Sequence, residues 1–410
     1  MTSRGRTARA AAVAGSLLLS ASALSACAGA GDERGVVRWY LADASTYAPL
    51  ARSCTDDAGG SYRIELVEAP ADPAERRADL VQRLRTGEQL DITGVDTAEI
   101  AELAGSGLLA DLPGDAAADL VEGRNEAAVD AVTVGSKVVA APWWYEPQVL
   151  LYRGSVAERA GLDMTRAITW NELTAGAARI GGTVQIAGTM TQWVGALAAG
   201  EDGKGFSDSR DLAAVLSGPG GADAAAVVRT YAGSDVGPGP SAQAADAFAA
   251  PGGTFLVGPV SLLSSSVLGA VRNEVHVAPY PLVSAAAETP VSPMAGMALA
   301  VTENASDTRH ALDAVACLTG EESQRWLVAN TGHLPTLESV LTAEETTADL
   351  GGGDLVTTSL AGGVPEPKSP DAALLARAVE TTWWPLASVG EATPGTTAAE
   401  LRRLQSGGLA

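Results

Sequence analysis

Hydrophobic and polar positions alternate along this chain with two periods in turn. Val36–Leu41 is an almost unbroken apolar run, the signature of a strand buried on both faces. In Tyr62–Val67 the apolar positions alternate, with Ile64 and Leu66 on one face. Between these strands, Tyr47–Cys54 has helical spacing. Pro73–Thr86 follows as a second helix, with Pro73 at its start and Ala78, Val81 and Leu84 three residues apart. Asp91–Val95 predicts a strand and Thr97–Ala104 a helix. This βαβαβ rhythm predicts an open, mostly parallel sheet covered by helices.

Further along, Val138–Ala141 and Gln148–Tyr152 read as strands on either side of Pro142-Trp143-Trp144-Tyr145-Glu146-Pro147. Thr169-Trp170-Asn171-Glu172 has the form of a capping box opening a helix. Strands are expected at Thr183–Ala187, Thr254–Val257, Val275–Pro279 and Ala298–Val301. Helices are expected at Thr191–Ala199, Thr308–Leu318, Glu321–Ala329, Asp371–Thr381 and Thr397–Gln405, and Gly233–Pro240 reads as a loop. No internal repeat is evident.

The first residues differ in kind. Arg4, Arg6 and Arg9 precede an apolar stretch centred on Leu17-Leu18-Leu19, too short for a stable bilayer span. It ends in Leu24-Ser25-Ala26-Cys27, the pattern of a lipobox, in which small residues precede a cysteine that receives diacylglycerol. Residues 1–26 therefore read as a signal peptide, Cys27 as the lipidated residue and 27–34 as a small, polar tether. The remaining chain, without a second long apolar run, is expected to be soluble and held to the outer face of the cytoplasmic membrane by lipid alone.

With Cys27 lipidated, Cys54 and Cys317 remain as an even pair in an oxidising compartment. We expect a disulfide, the alternative being two buried thiols. The formal charge of −22 argues against nucleic-acid partners and polybasic membrane contact. About 380 mature residues exceed one typical core, so two domains are expected. The chain has no G-x-S-x-G elbow, P-loop, H-E-x-x-H or C-x-x-C. His276, His310 and His333 lack metal-ligand spacing, and no cofactor is implied.

In open α/β sheets ligands bind beyond the carboxyl ends of strands. That rule singles out Ala42–Thr46, Asp96-Thr97, Trp143–Glu146, Gly258–Val260 and Met294–Met297. Sugars are held by carboxylates and amides on their hydroxyls and by aromatic faces on their C–H surfaces. In a chain only 4% aromatic, Trp143, Trp144, Tyr145 and Glu146 form the densest polar-aromatic cluster. Asp43 and Asp96 are further candidates, although Asp96 could equally cap the following helix. Gln192 and Trp193 open a helix after a strand, and Trp193 could equally be core. Trp170, Trp383 and Trp384 read as structural.

In order along the chain, Val37-Arg38-Trp39-Tyr40, Leu90-Asp91-Ile92-Thr93-Gly94-Val95-Asp96, Ala141-Pro142, Gln148-Val149-Leu150-Leu151-Tyr152-Arg153, Thr169-Trp170-Asn171-Glu172-Leu173, Phe255-Leu256-Val257-Gly258-Pro259 and Gly332-His333-Leu334-Pro335 resemble the extracellular solute-binding proteins of sugar ABC importers. The likeness is greatest to actinobacterial trehalose-binding lipoproteins, which carry a cysteine pair placed like Cys54 and Cys317. The resemblance implies an α/β, two-lobed periplasmic-binding-protein-like fold with a ligand cleft between the lobes. It also implies a monomer that hands a small saccharide to membrane permease subunits. One lobe would take 35–147 plus 276–319, the other 148–275 plus 320–410.

Three positions depart from the trehalose binders. Glu146 replaces an asparagine, Gly258 a tryptophan, and Glu366 lies near an arginine position. With Met294 and Gly296, these complete the candidate ligand set. The departures leave open a cationic or other polar solute. Two other classes also remain: a lipid-anchored glycoside hydrolase using a carboxylate pair, and a sensing lipoprotein without transport.

Overall fold

The computed structural model describes residues 35–200, 212–349 and 353–407. The expected leader, Cys27 and tether lie outside them. Among the described residues no helix is long and apolar enough to cross a membrane.

The main sheet has eight strands: β1 (Val36–Leu41), β2 (Arg63–Glu68), β3 (Ile92–Asp96), β6 (Ala141–Arg153), β7 (Val184–Ile186), β8 (Phe255–Pro259), β9 (Val275–Ala278) and β10 (Met294–Val301). A small hairpin, β4 (Thr133–Val134) and β5 (Lys137–Val138), stands apart. The order is β2-β1-β3-β10-β6-β8-β7, with β9 also paired to β6. Only β1–β2, β1–β3 and β7–β8 are parallel. The expected mostly parallel sheet is therefore mixed, because β10 returns antiparallel between β3 and β6, and β6 runs antiparallel to β8 and β9.

β6 is where sequence and structure differ most. The two expected strands and the loop between them are one 13-residue strand. Its first part, to Pro147, pairs with β10; from Gln148 onward it pairs with β8 and β9. Pro147 has no N–H to offer a ladder, so the strand can change partners there without leaving a donor unpaired.

Helices cover both halves of the sheet over separate cores. On the β1 side Trp39, Tyr47 and Trp143 interlock, with ring centroids 5.5 Å apart for Trp39–Trp143 and 4.8 Å for Tyr47–Trp143. Leu327, from the helix Glu321–Thr331, packs in this core. On the β8 side Trp170, Trp193, Tyr231 and Trp383 build the other core. Trp170 and Trp383 are structural, as expected, whereas Trp384 is 55% exposed. The helix Trp170–Arg179 opens with the expected capping box, Thr169 to Glu172. Cys54 and Cys317 are joined as a disulfide, Cα atoms 5.9 Å apart, tying the helix Ala44–Asp57 to the helix Thr308–Leu318.

The helix Pro73–Arg85 turns a different face inward than its apolar spacing implied. Arg76, Leu80 and Leu84 are buried, while Ala78 is exposed. A charged residue therefore sits on the buried stripe, and its partner lies in the cleft described next.

Candidate functional site

A cleft of about 680 Å³ opens between the two halves. On one side it is lined by the start of the helix Pro73–Arg85 and by the turn after β3. On the other it is lined by Gly188–Ala196 and by the helix Ala372–Trp383, with β10 and the segment Val364–Pro367 between them. Of the candidate residues, Asp96, Trp144, Gln192, Met294, Gly296 and Glu366 line it.

Asp96 ends β3, and its side chain caps no helix; instead Arg76 donates to it (Nη2–Oδ2, 2.7 Å). Beyond it Thr97–Glu99 forms a 3-10 turn. Thr97 Oγ1 donates to Glu366 Oε2 at 2.8 Å, and Gly296 N–H donates to Thr97 Oγ1 at 3.2 Å. Gly296 is small by necessity. A Cβ there would lie 2.3 Å from the Trp144 carbonyl oxygen, so any side chain would push β10 off β6.

Gln192 serves two purposes. Its carbonyl oxygen accepts from Thr189 N–H in the capping box of the helix Met190–Ala199, and its amide nitrogen donates to Glu366 Oε1 at 3.1 Å. Glu366 is thus held from both sides of the cleft, by Thr97 and Gln192 and by the backbone of Ala98. Burial, against those hydrogen bonds, pushes its carboxyl up to about 7, and the charge on Asp96 adds to the rise. Glu99, also lining the cleft, is pushed up to about 8 by burial and then by Asp96, with Arg76 and Arg77 opposing.

The other candidates lie elsewhere. Trp143 is fully buried beneath β1, Tyr145 packs against Met294, Ala128 and Ala131, and Trp193 belongs to the β8-side core. Asp43 is exposed in a left-handed conformation ahead of the helix Ala44–Asp57. Gly258 is buried in β8, where a Cβ would meet Ala187 and Leu262 at 2.9 Å, leaving no room for a ring.

Glu146 is 3% exposed and accepts three hydrogen bonds. They come from Ser261 N–H at 3.0 Å, Ser261 Oγ at 2.8 Å and His333 Nδ1 at 2.9 Å. The His333 ring in turn stacks on Trp144, centroids 4.1 Å apart and planes 4° from parallel. Glu146 is thus a strut among β6, the turn after β8 and the segment after Glu321–Thr331. It does not flank the cleft with Asp96 as a hydrolytic pair would have to.

The sequence reading missed Arg76, Arg77, Glu99, Glu102 and Thr191. For Arg76 a signal existed: it lies four residues before Leu80, on the stripe that packs inward.

Two α/β halves joined through shared strands, with a cleft between them lined by groups from both, define a two-lobed binding protein. The chain belongs to the bacterial extracellular solute-binding proteins, whose family model matches residues 50–351. It is a binding protein and not an enzyme. Solved structures share the fold over nearly the whole chain. Maltose-bound MalE3 of T. maritima is 19% identical with a TM-score of 0.76, over 90% of this chain and 99% of that one. The GacH receptor of Streptomyces glaucescens is 20% identical with a TM-score of 0.76, over 92% and 98%. UgpB from Mycobacterium tuberculosis, in complex with glycerophosphocholine, is 17% identical with a TM-score of 0.75, over 91% and 98%.

Proposed function

We propose that this chain is the lipid-anchored binding component of an ABC importer, and that it captures a small saccharide in the interlobe cleft and delivers it to membrane permease subunits. The observation that carries the reading is the cleft itself. Its volume suits a small ligand. It offers carboxylates, an amide and an indole, the groups that hold hydroxyls and ring faces. Trp144 lines the cleft and is stacked on His333. Family membership supports the importer role, and the maltose and acarbose in the complexes of MalE3 and GacH support the ligand class.

Because Thr97 and Gln192 reach Glu366 from opposite sides, a ligand that contacts both sides favours the closed arrangement over an open one. Starting from lobes of 35–147 plus 276–319 and 148–275 plus 320–410, we assign the helix Glu321–Thr331 to the first because Leu327 packs in its core, and β9 with Tyr280 to the second because β9 pairs with Leu150–Arg153 and Tyr280 packs in the β8-side core. Cys27 supplies the anchor and keeps the closed form near its permease.

A thermal-shift screen of the full chain in detergent, against mono- and disaccharides, tests this. Ligand at a hundred times its Kd adds ~2.7 kcal/mol, and a shift with a saccharide is the expected result. No shift with any saccharide, alongside a shift with a non-carbohydrate solute, refutes the ligand class. Release of a Cys27→Ala variant from the membrane is expected, and its retention would refute the anchor.

A further inference from the structure

The charges lining the cleft divide into paired and unpaired. Arg76 is committed to Asp96 and to the carbonyls of Pro70 and Ala71. Arg77 is committed to Glu102, with Nε–Oε2 at 2.9 Å. Arg377 and Glu380 line the exposed rim and offset each other in sign. Two carboxylates therefore remain without a cation. Glu366 is held by neutral donors only. Glu99 accepts no hydrogen bond from any described residue, and Asp96 and Glu102 stand beside it.

A half-buried carboxylate with no donor, whose neighbouring arginines are bonded to other acids, is costly, and it is relieved by a proton or by a cation that arrives with a ligand. Among the described residues no group of three or more acids, histidines or cysteines could hold a metal ion. Independent of the acids, two other cleft-lining side chains bury polar atoms that have no partner among the described residues: Trp144 Nε1 and Thr191 Oγ1. Unlike the partnerless indoles of the cores, these two belong to residues that line the cleft, where ligand hydroxyls can accept from them.

We propose that the ligand is an amine-bearing saccharide, its ammonium seated against Glu99 with Glu366 as the second carboxylate, and its hydroxyls meeting Trp144 and Thr191. This rests on the saccharide reading above and narrows it. It carries a thermodynamic signature. In the empty cleft at pH 7 Glu99 holds a proton, because burial and Asp96 push it up to about 8. An arriving ammonium restores the charged form, and the proton leaves to buffer. Asp96, Arg76, Arg77 and Glu102 are the charged groups that act on it, and both arginines are bonded to other acids.

The test is calorimetry on the full chain in detergent, with matched pairs: trehalose against 2-amino-2-deoxytrehalose, and cellobiose against the β-1,4 glucosamine disaccharide. Each pair is run at pH 7 in phosphate and in Tris, whose ionisation enthalpies differ. The expected result is amine binding tighter by about tenfold or more, with close to one proton released. Glu99→Gln is expected to remove most of the preference and most of the proton release. Glu366→Gln, which keeps an acceptor for Thr97, is expected to reduce the preference and guards against a folding defect at Glu99. Equal or weaker binding of the amines overturns the proposal and leaves the saccharide reading standing. Binding of spermidine with no sugar of either kind overturns the saccharide reading and keeps the cation seat. Silence from every amine overturns the cation seat.

Discussion

Replacing Glu146 separates a binding role from a structural one. Its carboxylate accepts from Ser261 N–H, Ser261 Oγ and His333 Nδ1 at 2.8–3.0 Å, with 3% of the residue exposed. Hydrogen bonds to a charged group are each worth about 1.5–3 kcal/mol but do not add when they share one acceptor. Glu146→Ala strands the Ser261 N–H and both side chains in a buried site, and we expect it to cost about 3–5 kcal/mol. Glu146→Gln is milder. Its oxygen can keep the Ser261 N–H, and its NH₂ can donate to Ser261 Oγ and to a His333 tautomer with Nδ1 unprotonated, for an expected loss of about 1–2 kcal/mol. The assay is urea unfolding followed by tryptophan fluorescence, with ligand affinity measured in parallel. Affinity of the glutamine variant should stay within about threefold of the parent, because the carboxylate faces Ser261 and His333 rather than the cleft. An alanine variant as stable as the parent would refute the strut. A tenfold loss of affinity in a fully stable glutamine variant would return Glu146 to the binding site.

Two further outcomes follow from features already described. Cys54→Ser with Cys317→Ser opens a loop of 263 residues, and we expect it to lower stability by about 2–5 kcal/mol; an unchanged urea midpoint would refute the bond's contribution. The raised carboxyls of Glu99 and Glu366 mean that the folded chain binds more protons than the unfolded one between about pH 4.5 and 8. Their contribution to stability is therefore full below about pH 4.5 and is lost progressively as pH rises to 7–8, by several kcal/mol in all. Unfolding measured from pH 5 to 8.5 should show this slope flattened in Glu99→Gln, and an equal slope in that variant would refute the assignment.

Much of the fold was legible because the periods of two and 3.6 survive wherever a segment packs on one face. The capping box at Thr169, the helix at Thr308–Leu318 and strand β1 were all read from local pattern. β6 was not. Two prolines and three adjacent aromatics look like a loop, and nothing local reveals that β10 and β8 hold them extended. That single misreading placed four neighbouring residues in the site together. In a strand successive side chains point to opposite faces, so Trp143 and Tyr145 went to cores, while Trp144 and Glu146 went to the side where His333 lies. Asp96 and Gln192 line the cleft, and each sits where a strand gives way to a helix, a local signal. Glu366 came from a family resemblance and lies in the cleft. Glu99 and Arg76 acquire meaning only once Asp96 stands between them, a contact no window of sequence contains.

The position of β10 also sets an order of assembly. The chain is made from its N-terminus. β1, β2 and β3 emerge early, yet β3's open edge is filled by a strand that begins almost two hundred residues later. The strands β7, β8 and β9, together with the second part of β6, are all available once Ala278 has emerged. The half of the molecule that is made first is thus the last whose sheet can be finished, and its helix-to-helix covalent tie must wait for Cys317. Until then β3 keeps an unsealed edge, so for this chain the hazard of mispairing falls on its oldest segment.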